Sequence, residues 1–150
     1  MKLNKICSTV FLKTLFWKQN HHHRHGVFLH TIKVAFYAIK HGDYKFIVPA
    51  LLHDIGKPFS AYQDEKDKLR GTYSFTNHEE LSWYIIKDWK LISDWTKDMV
   101  RYHYLIRDMH LSKKNGKFAR YNRIHKRWNK LSDEMKAELG RFLKYDDLAK

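Results

Sequence analysis

From Val27 to His41 the chain is apolar on nearly every side, with Lys33 and Lys40 marking one narrow polar edge. That pattern predicts a helix buried in the middle of a bundle, ended by Gly42. Upstream, Ile6 to Trp17 follows Lys2 and Lys5 like the apolar stretch of a secretion signal. Lys13 interrupts it and no small-residue cleavage site follows, so it reads as an amphipathic helix. Downstream, Asp43 is placed to cap a helix running through Phe46-Ile-Val-Pro-Ala-Leu-Leu52 to His53 and Asp54, before Gly56 and Pro58 stop it. The same apolar run suits a buried strand, but Pro49 argues against a central one.

Residues 57–75 are polar and irregular, which suggests a small hairpin or lid. Thr76-Asn-His-Glu79 has capping-box spacing and opens a helix to about Lys90. A further helix is expected from about Asp94 to Arg107, then a basic loop and helix over 111–131, and a last helix from near Ser132. The expected fold class is all-α, a compact helical bundle of one domain over residues 1–150, with residues 1–19 as an N-terminal helix.

Composition narrows the function. Of 150 residues, 43% are apolar and 30% charged, with six Gly and two Pro, which argues against disorder and Gly/Pro-rich β architectures. Cys7 is the lone cysteine, so no internal disulfide can form, and a cytoplasmic protein is the expectation. Lys and Arg total 29 against 16 Asp and Glu, a formal charge of +13. Such a surface attracts anions: nucleotides, nucleic acid or acidic lipid headgroups. No apolar run reaches the roughly 18 residues of a spanning helix, and no membrane partner is expected.

His53-Asp54 sets a histidine and a carboxylate side by side at the end of an apolar helix. An ionised carboxylate buried there needs a cation or strong hydrogen bonds, and the carbonyl end of a helix also favours a cation. Helical phase supplies co-ligands. His30 lies on the face of Val27, Val34 and Ala38, His78 on a stripe with Leu81 and Ile85, and His103 near Met99 and Ile106. On the last helix Asp146 continues the stripe of Met135, Leu139 and Phe142, whereas Asp147 shares the direction of Lys136 and Lys144. A single histidine on an apolar stripe is more often a hydrogen-bonded core residue than a ligand. Six inward ionisable residues in one small core are better explained by a shared cation.

The order His30-Thr31, then Leu51-Leu-His-Asp-Ile-Gly-Lys-Pro58, then Asp146 followed by Lys150, resembles the HD-domain metal-dependent phosphohydrolase superfamily over about residues 20–150. Together with Asn77-His-Glu-Glu-Leu-Ser82, the phrasing is most similar to the HD domains of CCA-adding enzymes and HD-GYP phosphodiesterases. No nucleotidyltransferase segment and no Gly-Tyr-Pro loop accompany it, so neither CCA addition nor cyclic di-GMP hydrolysis is implied.

The resemblance implies an all-α domain in which His30, His53, Asp54 and Asp146 hold a divalent ion, Mn, Fe, Ni, Co, Mg or Zn. Asp147 is the alternative distal ligand. It also implies that His78 and His103 either hold a second ion bridged by Asp54 or act on the phosphate and the leaving oxygen. Asp54, Lys57, His78 and His103 are thus the catalytic candidates. A bound divalent ion lowers the pKa of a coordinated water and polarises a phosphoryl oxygen.

Lys57, set by the Gly56 turn, is a candidate phosphate contact; a solvent-exposed lysine at a helix end is the plain alternative. Arg24 and His23, with His22 and His25, are candidates for a pocket wall. No acidic residue falls between Asp108 and Asp133, where Arg120, Arg123 and Arg127 align on one helical face and can follow a nucleic-acid backbone. The expected substrate is a nucleotide or an RNA or DNA end, through phosphomonoester or 2′,3′-cyclic phosphodiester hydrolysis. The competing readings are a catalytically inactive nucleic-acid-binding or regulatory module on the same scaffold, and a protein whose metal is only structural.

Overall fold

Ser8 accepts a hydrogen bond from the Phe11 N–H and starts helix α1 (Thr9–Phe16). The computed structural model describes residues 8–17, 19 and 25–150. Helix α2 (Val27–Lys40) buries Val27, His30, Thr31, Val34, Ala35 and Ala38 along one side. It ends at Gly42, whose φ of +76° lets Asp43 N–H reach back to the Ala38 carbonyl. Asp43 does not cap the next helix: its carboxylate accepts from the Tyr145 hydroxyl and from Arg141 on the last helix. The chain enters α3 (Ile47–Leu52) through a 3-10 turn, Tyr44–Phe46. Pro49 sits in the first turn of α3, where a missing N–H costs no helical bond.

Segment 57–75 forms the expected hairpin with two short helices: α4 (Lys57–Ser60), β1 (Ala61–Tyr62), α5 (Glu65–Arg70) and β2 (Ser74–Phe75). The strands pair antiparallel, Ala61 opposite Phe75 and Tyr62 opposite Ser74. Asp64 caps α5 and Gly71, at φ +60°, ends it. Asp67 accepts from the hydroxyls of Thr72 (3.1 Å) and Ser74 (2.7 Å), tying the excursion to itself. The expected capping box at Thr76 does not form. The Thr76 hydroxyl bonds the Tyr62 hydroxyl instead, and α6 (His78–Ile86) starts after Asn77 in the left-handed conformation, without a side-chain cap. It stops at Ile86, short of Lys90.

The helix expected over 94–107 is two helices, α7 (Asp94–Tyr102), capped by Ser93, and α8 (Leu105–Lys114). Then come α9 (Phe118–Trp128) and α10 (Asp133–Leu148), the latter capped by the Ser132 hydroxyl. Val34, Ala35, Ala38, Phe46, Ala50, Met99, Leu139, Phe142 and Tyr145 form one core joining α2, α3, α7 and α10. Helix α2 is not enclosed, however. Phe28, Leu29, Ile32, Phe36 and Ile39 lie open on its outer side, because neighbours cover only half its circumference.

One buried carboxylate ties the core together. Glu138 on α10 accepts from Trp95 Nε1 on α7 (2.6 Å) and from Lys45 Nζ. Burial favours its neutral form, but these two donors hold its pKa below the usual glutamate value. Glu138→Ala leaves the indole N–H without an acceptor and is expected to lower stability by about 2 kcal/mol, read as a lower urea midpoint at unchanged slope.

Candidate metal centre

Three histidines reach one point by the same local device. His53, just past α3, sets Nδ1 2.8 Å from the carbonyl of Ala50, and His103, just past α7, sets Nδ1 2.7 Å from that of Val100. His78, at the start of α6, sets Nδ1 3.0 Å from the carbonyl of Phe75. Each ring uses the carbonyl three residues before it. For His53 and His103 that carbonyl is the one the next residue's N–H would take in a continuing helix. This exchange explains the break between α7 and α8, which apolar periodicity does not register. A carbonyl only accepts, so the proton of each neutral ring sits on Nδ1 and the Nε2 lone pair points inward.

His30 comes from the buried side of α2, with Nδ1 3.4 Å from the Ala149 carbonyl and Nε2 2.9 Å from Asp146 Oδ1 on α10. Asp54 sits at the centre. Its Oδ2 lies 3.2 Å from His53 Nε2 and 3.6 Å from His30 Nε2, while Oδ1 lies 3.4 Å from His78 Nε2 and 3.7 Å from His103 Nε2. His53 Nε2 is 3.8 Å from Asp146 Oδ1. All six side chains are buried. Asp147, by contrast, is exposed and pairs with Arg107 and Lys150.

Neither oxygen of Asp54 nor Nε2 of His53 receives a hydrogen bond. Lys57 Nζ stands 2.6 Å from Asp54 Oδ2 as an ion pair lacking hydrogen-bond direction, and donates instead to Gln19 Oε1 at 2.9 Å. Inward lone pairs of imidazole facing carboxylate oxygens repel unless a cation or an extra proton lies between them. With protons alone the cluster is uneven. Burial opposes the charged form of His53, but Asp54 and Asp146 raise its pKa to about 9. Burial lowers His78 to about 4, and burial with the charge on neighbouring His53 takes His103 well below its ordinary value. Burial works against ionised Asp54 and Asp146 too, yet His53 and Lys57 hold Asp54, and His30 and His53 hold Asp146, well below the usual carboxylate range.

Neutral imidazoles beside ionised carboxylates are the donor set of a divalent metal, and two groupings are close enough to hold one: His30, His53 and Asp146, and His53, Asp54 and His103. The residues present therefore fit such an ion.

Over this floor lies a cavity of about 430 Å³. Lys57, Arg107 and Lys150 line it beside Asp54, Asp67 and Asp146, so both charge signs face it, and Tyr73, Phe75 and Tyr104 give it rings. Lys57 is buried, which removes the exposed-lysine alternative. Arg107 Nη2 bonds Asp146 Oδ2 (2.8 Å) and Asp147 Oδ1 (2.9 Å), so it orients the distal carboxylate from outside.

Sequence reasoning missed Arg107, Tyr104 and Gln19. Arg107 carries one faint signal, its place one helical turn after His103. Gln19, on no helix and in no motif, carries none. Arg120, Arg123 and Arg127 do not line the cavity. Asp108 holds Arg120 through three bonds of 2.8–3.2 Å, Arg127 pairs with Glu80, and Arg123 is exposed. Arg24 and His23 lie outside the described residues.

A family model described as HD domain matches residues 27–147. Neither curated proteins nor solved structures give a significant match to the chain.

Proposed function

The chain belongs to the HD domain family, and on that premise we propose that it is a metal-dependent phosphohydrolase acting on a nucleotide or on the phosphoester at an RNA or DNA end. The observation that carries this reading is Asp54: a buried carboxylate with no hydrogen bond, one oxygen toward His30 and His53 and the other toward His78 and His103, at the floor of a cavity that Lys57, Arg107 and Lys150 also line.

His30, His53, Asp54 and Asp146 hold the first ion in this reading, and His78 and His103, with Asp54 between, supply donors for a second. A divalent ion there provides an activated water and a polarised phosphoryl oxygen. The protein's own groups do the rest. Lys57 and Arg107 place the phosphate by charge, and Arg107 at the same time keeps Asp146 turned inward. The backbone carbonyls behind the rings fix the histidine tautomers. Tyr73, Phe75 and Tyr104 offer flat apolar surfaces to a base or sugar.

Metal removal is the direct test. Dialysis against a chelator is expected to abolish hydrolysis of aryl phosphomonoester and phosphodiester substrates, and Mn²⁺ or Ni²⁺ to restore it. A metal-loaded protein that hydrolyses neither these nor nucleotide esters is instead the inactive binding or regulatory module. Salt separates the substrate classes: a nucleic-acid end gives a steep fall of kcat/KM with ionic strength, a mononucleotide a shallow one.

A further inference from the structure

We propose that the outer faces of α1 and α2 dock this protein on an anionic lipid surface, with the metal centre turned away from it. On α2, Phe28, Leu29, Ile32, Phe36 and Ile39 fall within one arc of about 100° at helical spacing. They are between 41 and 58% exposed. Helix α1 extends the patch with Leu12, Phe16 and the adjoining Trp17, which is 81% exposed, and the Phe16 and Phe28 rings lie 6.0 Å apart across the junction. Scattered apolar residues on a surface need no explanation; a continuous patch of this size over two helices marks a contact.

Charge selects the partner. The sequence holds no acidic residue from Met1 to Gly42, while Lys13 stands on α1, and Lys33 and Lys40 run along one edge of the α2 arc. Asp43, the first acid in the chain, is occupied by Tyr145 and Arg141. A second copy brings its own +13 charge and the same acid-free helices, so it offers these lysines no counter-charge. The rings of Phe16, Trp17, Phe28 and Phe36 are more than half exposed, which suits a fluid apolar medium. Exposed Trp and Phe bordered by Lys is the make-up of a helix that lies in the headgroup region. No helix among the described residues is long and apolar enough to cross a membrane, so the surface lies on the bilayer without spanning it. His30 leaves α2 on the buried side, away from this arc.

The test is cosedimentation of the full chain with vesicles of phosphatidylcholine alone or mixed with phosphatidylglycerol. The expected result is binding to the mixed vesicles, weakened by salt, with little binding to phosphatidylcholine. The double variant Phe28→Asp/Phe36→Asp is expected to bind the mixed vesicles at least about tenfold more weakly, with helical circular dichroism and metal content unchanged. Lys13→Glu/Lys40→Glu, which leaves the apolar face intact, is expected to bind them more weakly too. The proposal is overturned if the wild type binds no vesicle, if it binds neutral and anionic vesicles equally, or if the Phe double variant binds like wild type. A wild-type dimer in solution that the Phe double variant dissociates assigns the face to a second copy. Tighter capture of an amphipathic Glu/Leu peptide than of vesicles assigns it to an acidic protein; either result overturns the lipid reading.

Discussion

Asp54→Ala is expected to abolish metal binding and turnover together while the helical fold stays in place. Both oxygens of Asp54 face imidazole nitrogens and accept no hydrogen bond, so no other group in the cluster can take over its position between the two histidine pairs. Losing the ion forfeits several kcal/mol of stabilisation of the developing phosphoryl charge, and each ~1.4 kcal/mol is tenfold in rate. Turnover should therefore fall on the order of a thousandfold or more. The core is made by other residues, so the variant keeps its cooperative transition. Metal content by mass spectrometry and melting with and without Mn²⁺ check this. At an excess of about 100-fold over Kd, the ion stabilises the wild type by about 2.7 kcal/mol, a rise of about 5 to 10 °C for a domain of this size. Asp54→Ala should show no rise. An unchanged rate with unchanged metal content would remove the mechanism.

The second large effect is expected at Gly56, two residues on. Its N–H donates to the Ser82 hydroxyl at 2.9 Å, and a Cβ there would stand 2.6 Å from the His78 carbonyl oxygen and 2.7 Å from the Ser82 nitrogen. Both are backbone atoms of α6 and cannot rotate away. Gly56→Ala must push α6 off the His53-Asp54 turn, which is expected to cost about 3 kcal/mol, at the upper end of overpacking penalties, and to carry His78 away from Asp54. Ser82→Ala removes only the hydroxyl and is expected to cost about 1 kcal/mol with metal binding retained. Equal melting of Gly56→Ala and wild type would show that α6 yields freely.

Much of the centre was legible because it obeys helical phase. His30, placed by its spacing from Val27 and Val34, lies on the buried side of α2, and Asp146 continues the stripe of Leu139 and Phe142 into the cluster. What periodicity misses is competition for backbone groups. His103 takes the Val100 carbonyl and splits one expected helix into two, and the Thr76 hydroxyl turns to Tyr62, so the capping-box spacing goes unused. Pairings distant in sequence are equally silent. Arg120 and Arg127 read as a free cationic row until Asp108 and Glu80 are seen to hold them. The near-uniform apolar character of α2 suggested enclosure because composition does not say how many neighbours a helix has.

Segment 57–75 connects two of these histidine positions and gives Lys57, Asp67, Tyr73, Ser74 and Phe75 to the cavity wall; Lys57 pairs with Asp54, and the other four lie outside the histidine and aspartate cluster. The residues on either side of it are tied together by the contact of His78 with Asp54 and the bond of Gly56 to Ser82. An intervening stretch anchored in this way can change length or composition at little entropic penalty, since closure depends only weakly on the number of residues between fixed ends. Residues 61–75 can therefore vary while the histidine and aspartate cluster stays as it is, whereas Lys57, at the start of the excursion, is tied to Asp54 and does not vary with them.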